Sequence, residues 1–456
     1  MKQRSRLACT AFEEFMLEQD FPTFPCVICL RMALTGQLQR HHFAHAVEWM
    51  TESNPLFRSR IVRNWQGKHS WEIQPKADHS IEWLQSEGEP IWPETKAIDL
   101  VSKTGLLIEA IEVGKSSTSC RSVVFMQFHH AVVDGLGIMN AVHEMWLYYD
   151  ALCNGRAVPC WDRIPHKLSQ RNDFGLSFRR LIKLIPKQGI GLLGVRQYVM
   201  RNPKPLVDMA DPAKFALAEE RIHAISFRLT REESEGLRQA ARVRGQTVND
   251  LVAGIVFEGC LELRRRQPSH QNTEWLRMMV PISMRGSEEY RLQTACNIVS
   301  CVFLDRTPVQ IQDRAALLAS VHAELELIKR NRLGFIFLFS IWLKKTLSIG
   351  GSRSSHPLPR RCQTSVVFTN LGRVLSDGRT DMHRLIVGGT TIESVEILAP
   401  LNPWMTVAFI ALQYVGELQL TLRYDSRCVA QSDAQELLEH CMYQLRQIPE
   451  RTRGPA

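Results

Sequence analysis

The chain has 456 residues, enough for two or three domains or two large lobes. Hydrophobic residues make up 45% and charged residues 23%, ordinary values that exclude a mainly disordered, collagenous or coiled-coil chain. Lysine and arginine outnumber aspartate and glutamate by 56 to 47, a formal charge of +9. That surplus suits a phosphate-bearing co-substrate, an acidic protein or a membrane surface; its scatter and the lack of a nucleic-acid motif argue against DNA or RNA.

Lys2, Arg4 and Arg6 open the chain, but Glu13 and Glu14 interrupt any hydrophobic region. No secretory signal is read, and a cytoplasmic protein with reduced thiols is expected. Residues 26–34 are an apolar strand that Gly36 ends, and its Cys26–x–x–Cys29 pair lacks the second pair a metal site needs. Residues 38–51 carry helical spacing at Leu38, Phe43, Val47 and Met50; Asn54–Pro55 breaks the helix, and residues 57–65 return as a strand. The polar cluster at 116–119 marks a turn before a near-continuous apolar strand over 123–128. Residues 161–220 are expected to connect two lobes, 1–160 and 221–456, and contain a basic amphipathic stretch near 179–187.

The second half restarts with a strand from residue 221. Thr230 with Glu233 forms a capping box, Gly245 ends that helix, and Thr247 with Asp250 opens another running to about Arg265. Strands are predicted over 276–280, 297–304, 365–369, 405–414 and 418–424, with a hairpin turn at Gly416–Glu417. Residues 333–343 are too few to span a bilayer. They read as a buried core helix, with an interfacial helix ending in Lys344 and Lys345 as the other reading. Weak, reversible membrane contact through this stretch or 179–187 follows from apolar surface beside cations.

The chemistry concentrates in residues 123–146. A strand delivers His129 and His130 to its end, a turn carries Asp134 and Gly135, and a helix follows with Leu136, Met139, Val142, Trp146 and Tyr149 on one face. Adjacent strand residues point oppositely, so one histidine can face a cavity while the other is held in the fold. A strand-end histidine suits general-base work near neutral pH. If Asp134 is buried it needs a cation; Arg285, ending the segment Pro281–Arg285, is the candidate. His41, His42 and His45 fall on a predicted helix, and His143, His223, His322, His356 and His383 lack ligand spacing, so no metal site is expected. No GxSxG elbow suggests a covalent acyl-enzyme.

The run His129–Gly135 matches HHxxxDG and resembles the signature of the chloramphenicol acetyltransferase-like, or condensation-domain-like, acyltransferase superfamily. Asn54–Arg60 looks like an early segment of that family, and Pro281–Arg285 is similar to the PxSxR segment of its bacterial wax ester synthase/diacylglycerol acyltransferase branch. The late DFGWG of the plant branch is lacking, and Cys296 stands where relatives often carry a glycine before Asn297. The resemblance implies an α/β fold with mixed sheets, in which two chloramphenicol acetyltransferase-like lobes form a pseudo-dimer around a central tunnel. His130 would be the general base. His129, Asp134, Gly135 and Arg285 would support the site, and Asn297, Ser300, Thr369 and Asn370 are candidates for lining the tunnel. The implied reaction moves an acyl group from coenzyme A or a phosphopantetheinyl carrier protein to an alcohol or amine, with no permanently bound cofactor. With no carrier, adenylation or thioesterase module attached, a stand-alone protein is expected. A non-catalytic module that binds a carrier protein or lipid is the competing reading.

Overall fold

The computed structural model describes residues 6–65, 67–78, 80–114, 120–158, 168–169, 171, 188–210, 223–285, 295–347, 359–376 and 383–452. Two six-stranded mixed sheets organise it. The first runs, edge to edge, Ile386–Val387 (β12), Thr390–Leu398 (β13), Val27–Thr35 (β2), Arg121–His129 (β7), Leu106–Val113 (β6) and Ile81–Ser86 (β5). The second runs Val299–Arg306 (β10), Leu276–Ser283 (β9), Val366–Arg373 (β11), Val407–Tyr414 (β14), Glu417–Tyr424 (β15) and His223–Arg228 (β8). A small sheet joins Arg6–Ala8 (β1), His69–Ile73 (β4) and Ser59–Arg63 (β3). The helices are Ala11–Glu18 (α1), Arg40–Ser53 (α2), Gly135–Cys153 (α3), Gln188–Met200 (α4), Arg231–Val243 (α5), Val248–Arg265 (α6), Pro308–Gln312 (α7), Arg314–Asn331 (α8), Gly334–Leu347 (α9) and Gln431–Thr452 (α10).

Strand alternation divides the core. In β14, Val407, Phe409 and Ala411 pack into one cluster with α5, α6, α8 and α10, while Ala408, Ile410 and Leu412 pack into the cluster built on the first sheet. Both faces of this strand are buried, which is why it reads as an unbroken apolar run. The second sheet therefore has helices on one face and the first lobe on the other. The sheets do not follow chain order: β13, from the second half, pairs antiparallel with β2 from Thr391↔Thr35 to Leu398↔Cys29. Two helix starts are capped as the residue pattern dictates, by Thr230 with Glu233 and by Thr247 with Asp250.

Four local readings need adjustment. Residues 55–58 form a 3-10 turn, so the strand expected from residue 57 begins at Ser59, because Pro55 supplies a fixed φ at the turn's start and Asn54 turns its amide back to Met50 O at 2.7 Å. The strand expected from residue 297 begins at Val299, because the Ile298 N–H is held by Asp134. The β14–β15 turn is centred on Val415 and Gly416, with φ of 48° and 83°, matching the left-handed pair a two-residue hairpin requires. Helix α9 is not a fully buried core helix. Leu338 and Ile341 are covered, but Phe339, Trp342 and Leu343 are 58%, 50% and 38% exposed. Within the expected connection, residues 188–200 form α4; the basic stretch at 179–187 lies outside the described residues.

Candidate active site at the junction of the lobes

Strand β7 sits between β2 and β6, and every residue after Arg121 is buried. Its pairing with β2 ends at His129↔Val27, and the His130 N–H reaches one step further to Cys26 O at 2.8 Å. The two histidines therefore leave the same well-anchored strand end on opposite sides. His129 is 1% exposed. Its Nδ1 accepts the Ala131 N–H at 3.1 Å and its Nε2 faces Asp20 Oδ2 at 3.3 Å. The other oxygen of Asp20 accepts the Cys26 N–H at 2.9 Å, so this carboxylate braces both strand and ring.

His130 is oriented differently. Its Nδ1 lies 3.2 Å from Val133 O. A carbonyl oxygen can only accept, so Nδ1 carries the hydrogen and Nε2 keeps its lone pair. Phe12 of α1 meets the ring edge-on, with centroids 6.5 Å apart. Burial pushes the His130 pKa below its ordinary 6.5, against the opposing pull of its backbone hydrogen bonds and the Asp134 carboxylate. A neutral imidazole with a free Nε2 is the form a general base needs.

Asp134 caps α3 by accepting the Gly137 N–H at 2.8 Å. Arg285 approaches the same carboxylate through two nitrogens, each at 2.9 Å, from 151 residues away in sequence. The Ile298 N–H completes the set at 2.8 Å. Burial disfavours the guanidinium charge, but the Asp134 carboxylate and its hydrogen bonds outweigh it and hold the Arg285 pKa above its ordinary value. The pair clasps the first lobe's motif loop to the second sheet. Asn297 adds a fork of its own, with Nδ2 donating to His130 O and Ala131 O at 2.8 Å each.

The tunnel-lining candidates separate. Asn297 is 4% exposed and holds the histidine loop through the carbonyls of His130 and Ala131. Ser300 is fully buried with its hydroxyl on Gly334 O at 2.7 Å. Thr369 shares the β11 face of Val367 and Leu371 that turns to the first lobe, whereas Asn370 turns away and accepts the Gly372 N–H at 2.8 Å. Gly135 has ordinary backbone, and a Cβ there would meet only Leu371 Cδ2, at 2.9 Å. Gly137 is the tighter position: a Cβ would meet Val133 Cγ2 at 2.7 Å, with Asp134 Oδ1 and Cys296 O both at 3.3 Å.

Several supports were not legible from residue type. Besides Asp20 and Phe12, Glu13, next to Phe12 in α1, is fully buried and binds Arg171 through two contacts of 2.7 Å and Trp71 Nε1 at 3.0 Å. Asn54 Oδ1 accepts the Ala295 N–H at 2.7 Å across the lobes. Nothing local in the sequence marks these partners, since each lies far along the chain. Cys296 adjoins the clasp, but burial pushes its thiol up to about 12, which keeps it protonated and unreactive. Among the described residues no group of three or more His, Cys, Asp and Glu side chains could hold a metal ion.

No family model matches the chain, and no curated protein matches it. Solved structures do. The first condensation domain of the CDA synthetase superposes with a TM-score of 0.69 at 16% identity, covering 98% of this chain and 96% of that one. A trichothecene 15-O-acetyltransferase from Fusarium sporotrichioides gives 0.68 at 11%, covering 97% and 95%. A mutant starter condensation domain of rhizomide synthetase, in complex with C8-CoA and Leu-SNAC, gives 0.67 at 11%, covering 98% and 94%. Over nearly its whole length the chain therefore has the two-lobed fold of condensation domains and of this acetyltransferase.

Proposed function

We propose that this chain is an acyltransferase that moves an acyl group from a thioester, on coenzyme A or on a carrier protein, to an alcohol or amine. The observation that carries the reading is the tautomer of His130. With its Nδ1 hydrogen on Val133 O, Nε2 is left to accept the acceptor's proton as its oxygen or nitrogen attacks the thioester carbonyl. The C–S bond then breaks, and the proton on Nε2 passes to the leaving thiolate. No permanent cofactor enters this scheme. Neighbours of the same fold include an acetyltransferase and a domain in complex with C8-CoA, and the apolar Phe12 edge beside His130 suits an acyl group.

Thiol release from a panel of acyl-CoAs and acyl-carrier proteins, offered with alcohols and amines, tests the activity. Once a substrate pair is found, His130→Ala should lower the rate by about 10² to 10⁴-fold, the usual contribution of a general base, with an unchanged melting midpoint. Activity within a few-fold of the parent would remove His130 from the role. No turnover across the panel, with retained binding of an acylated carrier protein or lipid, would favour the non-catalytic reading.

A further inference from the structure

Exposed large hydrophobic side chains gather on two helices that pack together. On α4, Leu192, Leu193, Val199 and Met200 are 66%, 59%, 66% and 69% exposed. Their spacing places them on one helical stripe with Arg196 at its middle, and Arg196 Nε reaches Met200 Sδ at 3.3 Å. On α9, Phe339 and Trp342 stack with centroids 5.6 Å apart, and Leu343 lies beside them on the outward side. The helices meet at Gly191, where an added Cβ would stand 1.7 Å from Ile336 Cδ1. Only a residue without a side chain permits that approach, so the two helices lie directly against each other.

An ordinary surface helix turns its polar face to water; here the apolar stripe faces out. Neither helix contains an aspartate or glutamate. Arg196 is the charged residue of α4, and the exposed Lys329, Arg330 and Arg332 stand just before α9. Apolar area on two helices that lack acidic residues, with exposed cations at Arg196 and just before α9, in a chain of net charge +9, complements a surface that is both apolar and anionic. No helix of the described residues is long and apolar enough to cross a membrane, so the fit is to lie on one.

We infer that the α4–α9 face docks the protein onto an anionic lipid bilayer, with the Leu193 and Trp342 side chains entering the acyl boundary and Arg196 meeting headgroup phosphates. The inner side of α9 leads back to the site: Phe337 meets Phe15 at 5.7 Å, Phe15 lies 6.2 Å from Phe12, and Phe12 adjoins His130. Docking would therefore hold a bilayer, and any aliphatic substrate in it, behind the aromatic wall of the site. That consequence rests on the proposed acyl transfer. The docking itself does not, and the experiment uses no substrate.

Flotation of the full chain with vesicles of phosphatidylcholine and phosphatidylglycerol in equal parts, at low salt, is the test. The parent should float with these vesicles, less so with phosphatidylcholine alone, and less again at high salt. Arg196→Glu reverses one charge near the surface and should weaken binding roughly tenfold. Leu193→Glu with Trp342→Glu should abolish it while the melting midpoint stays at the parent's value. Should that double variant melt early, Leu193→Ser with Phe339→Ser serves the same purpose. A parent that does not float, or folded variants that float as it does, would overturn the inference. So would a parent dimer that the same variants dissociate while vesicles bind none of the proteins, since the face would then be an interface between copies of this chain.

Discussion

At the scale of single residues, two groups matter most: the His130 imidazole and the Asp134–Arg285 pair. The hydrogen on His130 Nδ1 is fixed by Val133 O, and burial holds the ring's pKa below 6.5. The neutral imidazole is then populated into mildly acidic solution, so with His130 as the proposed base the acid limb of kcat/KM against pH should have its midpoint below 6.5. A midpoint above neutrality would contradict the assignment. The same shift links to stability. The unfolded chain binds the proton as the pH falls through 6.5 while the folded histidine resists it, so stability declines on the acid side. His130→Gln should flatten that part of the curve. The second group is the Asp134–Arg285 pair, whose side chains are only 5% and 8% exposed. Losing either partner strands a buried charge, with an expected cost of about 3–5 kcal/mol. Asp134→Asn combined with Arg285→Gln should cost clearly less than the sum of the single losses, as chemical denaturation would measure; additive losses would mean that the contacts are not coupled.

At the scale of elements, the start of α3 is where backbone and side chain compete for space. The motif's glycine at 135 would meet only the movable tip of Leu371, whereas Gly137 faces Val133, the capping carboxylate of Asp134 and the fixed carbonyl of Cys296. Gly135→Ala should change stability by no more than about 0.5 kcal/mol. Gly137→Ala should cost about 1–3 kcal/mol by overpacking and, by displacing the Asp134 carboxylate, should lower activity as well. Melting midpoints and rates of the two variants side by side decide this; equal behaviour would remove any special place for Gly137. The sequence pattern directs attention to Gly135, because HHxxxDG ends there. Spacing along one chain says nothing of Cys296 O, which arrives from the other lobe.

At the scale of the whole molecule, the crossing of β13 into the first sheet makes the two halves interdependent. A fragment of residues 1–160 would leave the β2 edge without its β13 partner and expose the apolar surface that Ala408, Ile410 and Leu412 cover. Such an edge invites association, so the fragment should aggregate or remain unfolded by circular dichroism and size exclusion, and a soluble, cooperatively melting fragment would refute this. The sequence by itself determined what is local: the capped starts of α5 and α6, the apolar runs of β2, β7 and β14, the apolar–polar alternation of β15, and the strand–turn–helix that carries His129, His130 and Asp134. These follow from periodicity and from side chains acting within a few residues of their own backbone. The need of a buried Asp134 for a cation was also legible, since desolvating a carboxylate is costly wherever it happens. Only the tertiary structure decided which partners meet: Asp20 at His129, Phe12 at His130, Asn297 under both carbonyls of the loop, and Ser300 turned away to Gly334. It also decided that α9 lies half outside and that α4 turns its apolar stripe to solvent. Such outcomes depend on contacts between residues far apart in the chain, and on which face of an element its neighbours leave uncovered, neither of which the order of residues along one strand or helix contains.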